Sequence, residues 1–187
     1  MVKKNACVFI SGKGTNLKNL ILKSRQYNFP ITIKLVVTNN HNAKGIKYAK
    51  INSIPYIIIS TKNRLYEYKI LNLIKKYNIS LICLAGYMKI ISSFFLRNYK
   101  RKIINIHPSL LPKFKGLNTF ERVLKNNEIK TGCTVHYVNE KLDSGNIINQ
   151  KSFYIKKDDN LKILRQRTQK LEYQSFPEAI IKIYRYY

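Results

Sequence analysis

Tryptophan is absent from this 187-residue chain, and acidic residues are scarce: nine Asp and Glu stand against 35 Lys and Arg, a formal charge of +26. Cysteine is nearly absent too. Cys7, Cys83 and Cys133 are widely spaced, form no Cys-x-x-Cys pair and each lie in an apolar run. That excludes a disulfide framework and a zinc ribbon and reads as three buried thiols in a reducing compartment. Long apolar runs are missing as well. None approaches the roughly 18 residues of a membrane-spanning helix. The run Ala6–Ile10 behind Lys3 and Lys4 stops at Ser11-Gly12, too early for a signal-peptide core. A cytoplasmic protein is expected. With no linker, repeat or low-complexity tract, residues 1–187 read as one domain.

What is present is an ordinary globular composition, 45% hydrophobic, enough for one substantial core. The positive charge could mark a polyanion partner. The lysines, however, are spread through every predicted element (Lys18, Lys34, Lys47, Lys69, Lys100, Lys125, Lys162) and gather in no arm or stripe. The enrichment in Lys, Asn, Ile and Tyr is also what A/T-rich codons specify. Drift plus a phosphorylated substrate is therefore favoured over nucleic acid; a non-catalytic basic module that binds nucleic acid is the alternative from another class.

Along the first half, short β-branched runs alternate with helical patterns. Ala6–Ile10, Ile31–Val37, Pro55–Ile59 and Ile79–Leu84 read as strands; Thr15–Ser24, Ala43–Asn52 and Arg64–Tyr77 read as helices. This alternation predicts right-handed βαβ units and a Rossmann-like parallel sheet covered on both faces. The second half differs. Ile103–Ile106 is a strand that runs into a proline-containing loop. Gly132–Val138 and Ile147–Ile155 flank a tight turn at Asp143-Ser144-Gly145, so a hairpin turns the sheet mixed. A final helix is expected from about Asp158. The fold class is α/β: a parallel N-terminal half continuing into a mixed sheet with flanking helices.

Ser11-Gly12-Lys13-Gly14-Thr15-Asn16-Leu17 lies between the first strand and the first helix, where backbone N–H groups and a helix dipole can cradle a phosphate. A Walker A loop is excluded, because Lys13 is followed by Gly14. A dinucleotide fingerprint is excluded too: position 17 is Leu, and the second strand ends in Thr38-Asn39-Asn40 with no acid. A phosphate site for a mononucleotide-sized ligand remains, beside the plainer reading of a structural turn.

Asn105-Ile106-His107-Pro108 is the most informative segment. Two residues apart on a strand, Asn105 and His107 leave the same face, at the carboxyl end where α/β sheets place ligands. Pro108 and Pro112 hold the following loop extended. An amide donor beside an imidazole suits acyl transfer, in which the carbonyl oxygen turns negative as an amine attacks. Asp143 can orient His107 or accept a proton. No Ser, Cys or Lys nucleophile stands out, so direct transfer is the economical route. A metal site built from His107, Cys133, His136 and Asp143 lacks ligand-pair spacing and is not expected, and His41 reads as solvated.

Five segments together resemble the phosphoribosylglycinamide formyltransferase family: Ser11–Leu17, Leu84-Ala-Gly-Tyr-Met-Lys89, Asn105–Gly116, Gly132-Cys-Thr-Val-His136 and Leu142-Asp-Ser-Gly145. They occur in the same order, and the similarity covers essentially the whole chain. The resemblance implies transfer of a formyl group from 10-formyltetrahydrofolate, as co-substrate and without a metal, to glycinamide ribonucleotide in purine biosynthesis. By it, Asn105, His107 and Asp143 are the catalytic trio; Gly14, Thr15 and Asn16 hold the phosphate; Glu172 binds the ribose hydroxyls. Met88, Lys89, Ile90 and Ile91 wall the pterin, and Arg64 lies near the folate. The chain departs from the family at Ser144 (usually Gly), Tyr173 (usually His) and Lys89 (often Arg). Methionyl-tRNA formyltransferase, a relative sharing the Ser-Leu-Leu-Pro loop, is the alternative activity, although it carries a further RNA-binding domain; formyltetrahydrofolate deformylase carries an added N-terminal one.

Overall fold

The computed structural model of the chain describes residues 2–60 and 65–185. The fold is α/β, a seven-stranded mixed sheet ordered β3-β2-β1-β4-β5-β6-β7 with flanking helices. The chain divides into two compact units, Met1–Ile104 and Asn105–Tyr187.

In the first unit, β1 (Lys4–Ile10), β2 (Ile31–Thr38), β3 (Tyr56–Ile58) and β4 (Leu81–Leu84) are all parallel, with β1 between β2 and β4 and β3 outside β2. The nearly unbroken apolar runs follow from burial on both faces: Ala6 to Ile10 and Leu81 to Leu84 are all buried. α1 (Thr15–Ser24) turns Leu17, Leu20 and Ile21 inward, and α3 (Leu65–Lys76) turns Ile70 and Ile74 inward. α2 is shorter than its periodicity suggests, Ile46–Ile51. Ala43 to Gly45 are taken up by a turn in which the Gly45 N–H donates to the Gly12 carbonyl at 3.0 Å. A short helix absent from the sequence reading, α4 (Ser93–Asn98), is capped by Ser92, whose hydroxyl accepts the Phe95 N–H.

β5 (Lys102–His107) leads into the second unit, where β6 (Lys130–Tyr137) and β7 (Ile147–Tyr154) pair antiparallel as expected. Their connection is a nine-residue loop, Val138 to Asn146, with Asp143-Ser144-Gly145 within it, and not a tight two-strand turn. A second unforeseen helix, α5 (Thr119–Lys125), precedes β6. α6 (Leu161–Tyr184) continues through a buried Pro177 and packs Phe176, Ala179, Ile180 and Ile183 into the core. The three cysteines are free and buried. Among the described residues, no helix is long and apolar enough to cross a membrane.

Gly132 lets the hairpin close. A Cβ there would lie 1.9 Å from the Lys151 carbonyl oxygen. Gly132→Ala is therefore expected to force β6 and β7 apart and cost about 1–3 kcal/mol or more, the scale of overpacking a filled site. The urea midpoint at pH 7 reads this; an unchanged midpoint contradicts the packing described.

Candidate active site

The first unit gathers its loops at the carboxyl ends of β1, β2 and β4. Ser11, directly after β1, ties them together. Its N–H donates to the Gly86 carbonyl (3.2 Å), and its hydroxyl accepts the Met88 N–H (2.9 Å) and donates to Asn39 Oδ1 (2.5 Å). The Asn40 side-chain amide donates to the Ser11 carbonyl at 2.9 Å. Gly14 sits at φ 69°, and a Cβ on it would meet the Gly45 Cα at 2.5 Å, so the loop approaches its neighbour as only glycine allows. α1 starts immediately afterwards with no acid in its first turn, and Gly14 supplies no capping side chain. Thr15 and Asn16 occupy that turn, so the helix end presents a positive dipole to an anion. Met88 to Ile91 form the loop after β4; Met88 is 61% and Ile90 73% exposed, an apolar pair open to a flat ring. Arg64 lies outside the described residues.

The second unit brings the expected trio together. Asn105 and His107 leave one face of β5, and the Asp143 carboxylate reaches both. Asp143 Oδ2 lies 3.3 Å from His107 Nδ1 and accepts the Gly116 N–H at 2.8 Å; Oδ1 accepts from the Asn105 amide at 3.4 Å. Asp143 takes φ 44° within its loop, an uncommon backbone conformation for a non-glycine residue and one that clusters at functional sites. His107 Nε2 donates to the Phe114 carbonyl at 2.8 Å, which fixes the proton there and turns Nδ1 toward the carboxylate.

His136 joins the trio, and the sequence reading gave it no catalytic place. It is 2% exposed on β6, on the same strand face as Thr134. Its Nδ1–H donates to the Tyr137 carbonyl at 2.8 Å, leaving an Nε2 lone pair that accepts from Asn105 at 3.3 Å, with Asp143 Oδ1 at 3.6 Å. Gly145 makes this possible: a Cβ there would sit 1.8 Å from that same Tyr137 oxygen. Thr134, two residues earlier, accepts the Leu111 N–H (3.0 Å) and donates to the Ser109 carbonyl (2.6 Å), pinning the Pro108–Pro112 loop to β6. Ser144 is drawn into the loop, its hydroxyl accepting from Lys115 (2.5 Å) and donating to the Leu142 carbonyl (2.8 Å). Glu172 sits half-buried midway along α6, close enough to Cys133 for its charge to act on the thiol. Among the described residues, no three His, Cys, Asp or Glu side chains are grouped as a metal ion requires.

The cluster sets its own protonation. Burial alone would raise the Asp143 carboxyl. The Gly116 N–H donated to its Oδ2, with further attraction whenever a neighbouring imidazole takes up a proton, outweighs that burial and holds the carboxyl below the usual carboxylate range. Burial lowers the His107 imidazole below its usual range, against the raising influence of the Phe114 carbonyl and Asp143. A neutral buried His107 means that the unfolded chain takes up its proton first as pH drops below about 6.5, so stability falls from there downward. A second loss follows below about pH 4, as Asp143 is protonated. Between pH 7 and 5 the melting temperature of His107→Gln is expected to fall less than that of the parent; parallel profiles would contradict this.

Comparison with known proteins then places the chain. The family model described as formyl transferase matches residues 4–180. A phosphoribosylglycinamide formyltransferase of Haemophilus influenzae is 39% identical over 95% of this chain and 85% of its own length. The human trifunctional purine biosynthetic protein adenosine-3 is 38% identical over 95% of this chain, which spans only 18% of that protein. Among solved structures, phosphoribosylglycinamide formyltransferase of Bacillus halodurans superposes with a TM-score of 0.91 at 33% identity, covering 96% of this chain and 95% of that one. Glycinamide ribonucleotide transformylase 1 of Symbiobacterium toebii gives 0.90 at 31%, covering 95% and 86%.

Proposed function

The chain belongs to the formyl transferase family, and from that premise we propose that it transfers a formyl group from 10-formyltetrahydrofolate to the amine of glycinamide ribonucleotide, as one cytoplasmic formyltransferase domain. The observation that carries this reading is the Asp143 carboxylate, set between His107 Nδ1 at 3.3 Å and the Asn105 amide at 3.4 Å.

The folate supplies the activated formyl carbon. The protein supplies position, donors and a place for a proton. Gly14, Thr15 and Asn16 hold the ribonucleotide phosphate at the start of α1, and Glu172 takes the ribose hydroxyls. Met88, Lys89, Ile90 and Ile91 flank the pterin; the exposed apolar pair Met88 and Ile90 suits a flat heterocycle. As the amine attacks, the carbonyl oxygen becomes negative and meets the Asn105 amide. That amide holds its present acceptors at 3.3 and 3.4 Å, long bonds that are cheaply exchanged for a charged oxygen. With the Nε2 proton of His107 held by the Phe114 carbonyl, a proton shed by the amine can rest on Nδ1, where Asp143 Oδ2 neutralises it. From there it is returned to the departing folate nitrogen.

The test is direct. Purified protein is incubated with both substrates while the folate absorbance change is followed, and initiator methionyl-tRNA is offered in a parallel reaction. Turnover with glycinamide ribonucleotide alone is expected. Formylation of the tRNA without formylation of the ribonucleotide would overturn the assignment.

A further inference from the structure

The acids, unlike the lysines, are not spread evenly. Residues 1–104 carry twenty lysines and arginines and one acid, Glu67, whereas residues 105–187 carry fifteen against eight. Glu67 is 7% exposed, and its carboxylate accepts hydrogen bonds from the Tyr66 and Ser92 hydroxyls. The surface of the first unit therefore presents no acidic side chain. In the second unit, acids pair with Lys113, Lys151, Arg165 and Arg167. Codon drift raises lysine everywhere and gives no reason for one unit to lose its acids; such an asymmetry of charge is a signature of a polyanion partner.

We propose that the first unit binds single-stranded nucleic acid along a track running from an open groove onto the face formed by α1 and α2. The groove, about 610 Å³, is lined by Lys34, Asn52, Ser53, Pro55, Lys76 and Tyr77 among others. Asn52 links it to the helical face: its side-chain carbonyl accepts from Arg25 at 2.6 Å and its amide donates to the Tyr48 carbonyl at 2.6 Å. On that face, lysines stand beside tyrosine rings. Lys47 and Lys18 Nζ lie 5.0 and 5.8 Å from the centre of the Tyr48 ring, and Lys50 Nζ lies 5.9 Å from that of Tyr56.

Cations interleaved with rings meet the two demands of a single strand, phosphates every few ångströms and bases that stack on aromatic faces. A duplex hides those base faces. A lipid surface fits less well, because it asks for a broad exposed apolar stripe; α1 and α2 bury Leu17, Leu20, Ile21, Ile46 and Ala49, leaving only Leu22 and Ile51 outside. This inference does not depend on the formyl-transfer reading.

The test compares two fourfold variants with the same change in total charge. One reverses the track (Lys34→Glu, Lys47→Glu, Lys50→Glu, Lys76→Glu). The other reverses exposed lysines of the second unit (Lys125→Glu, Lys156→Glu, Lys157→Glu, Lys170→Glu). Binding of a fluorescein-labelled oligothymidylate of about 20 nucleotides is followed by anisotropy at several salt concentrations. The parent is expected to bind saturably at about 150 mM salt. The track variant should bind at least about tenfold more weakly, with a salt slope lower by about 3, near 0.7 per lost phosphate contact. The second-unit variant should stay within about threefold of the parent. Absence of saturable binding by the parent, equal losses in the two variants, or tighter binding of a duplex of the same length would each overturn the proposal. If circular dichroism shows that the track variant is unfolded, the corresponding Lys→Gln set is judged by the same criteria.

Discussion

Asp143→Asn is expected to lower kcat about 10³-fold, within the range for losing a positioned acid–base group, while KM for either substrate moves little. The amide is nearly isosteric. Its oxygen can keep the Gly116 N–H now accepted at 2.8 Å, so the loop should stay folded. Its NH2 then occupies the place of Oδ1 and donates to the His136 Nε2 lone pair, where the Asn105 amide now donates. Two donors compete for one acceptor, and Asn105 is displaced. The charge that would neutralise a proton on His107 Nδ1 is lost as well. Both consequences fall on the transition state and hardly on ground-state binding, which steady-state kinetics at saturating concentrations of both substrates can separate. A loss smaller than about tenfold would remove the carboxylate from proton handling.

The second large effect concerns the oxyanion donor. Asn105→Ala is expected to cost about 10²- to 10³-fold in kcat, the usual scale for one preorganised donor. Stability should fall by only about 1 kcal/mol, because the side chain is half-buried and its two hydrogen bonds are 3.3 and 3.4 Å long. That contrast matters: a merely structural asparagine would show the reverse ratio, a large shift in the unfolding midpoint with a small one in turnover. A kcat within threefold of the parent would exclude Asn105 from the mechanism.

Much of this arrangement was legible in the residues. β-branched runs announced the strands, and the two-residue spacing of Asn105 and His107 announced a shared face at a strand end, because side-chain direction in a strand has a period of two. Asp143 could be offered as a partner of His107 on its chemistry, and the family resemblance named it in the trio, but its place beside them was not readable, since nothing in one chain says which loop folds back on which strand. His136 escaped for the same reason. Its alternation with Thr134 along β6 was visible, but not that this face meets Asn105 and Asp143. Backbone partners were invisible altogether: the Phe114 carbonyl that fixes the His107 tautomer and the Gly116 N–H that holds Asp143 have no side-chain signature. The helices α4 and α5 were missed because six or seven residues show too little periodicity. Ser92 could have flagged α4, as a cap whose hydroxyl meets the N–H three residues on. α5 begins after Asn118 in a left-handed conformation without a side-chain cap, so it carried no such flag.

The central claim is that Asn105, His107 and Asp143 act as one unit on one developing charge. A double-mutant cycle on the single-turnover rate constant tests it most directly, with Asn105→Ala, Asp143→Asn and the combined variant measured with glycinamide ribonucleotide and 10-formyltetrahydrofolate. Because Asp143→Asn already displaces Asn105, the combined variant should be no more than about tenfold slower than the slower single variant. Losses that multiply, giving a combined rate about 10⁵-fold or more below the parent, would mean that the two groups act independently and would contradict the shared site.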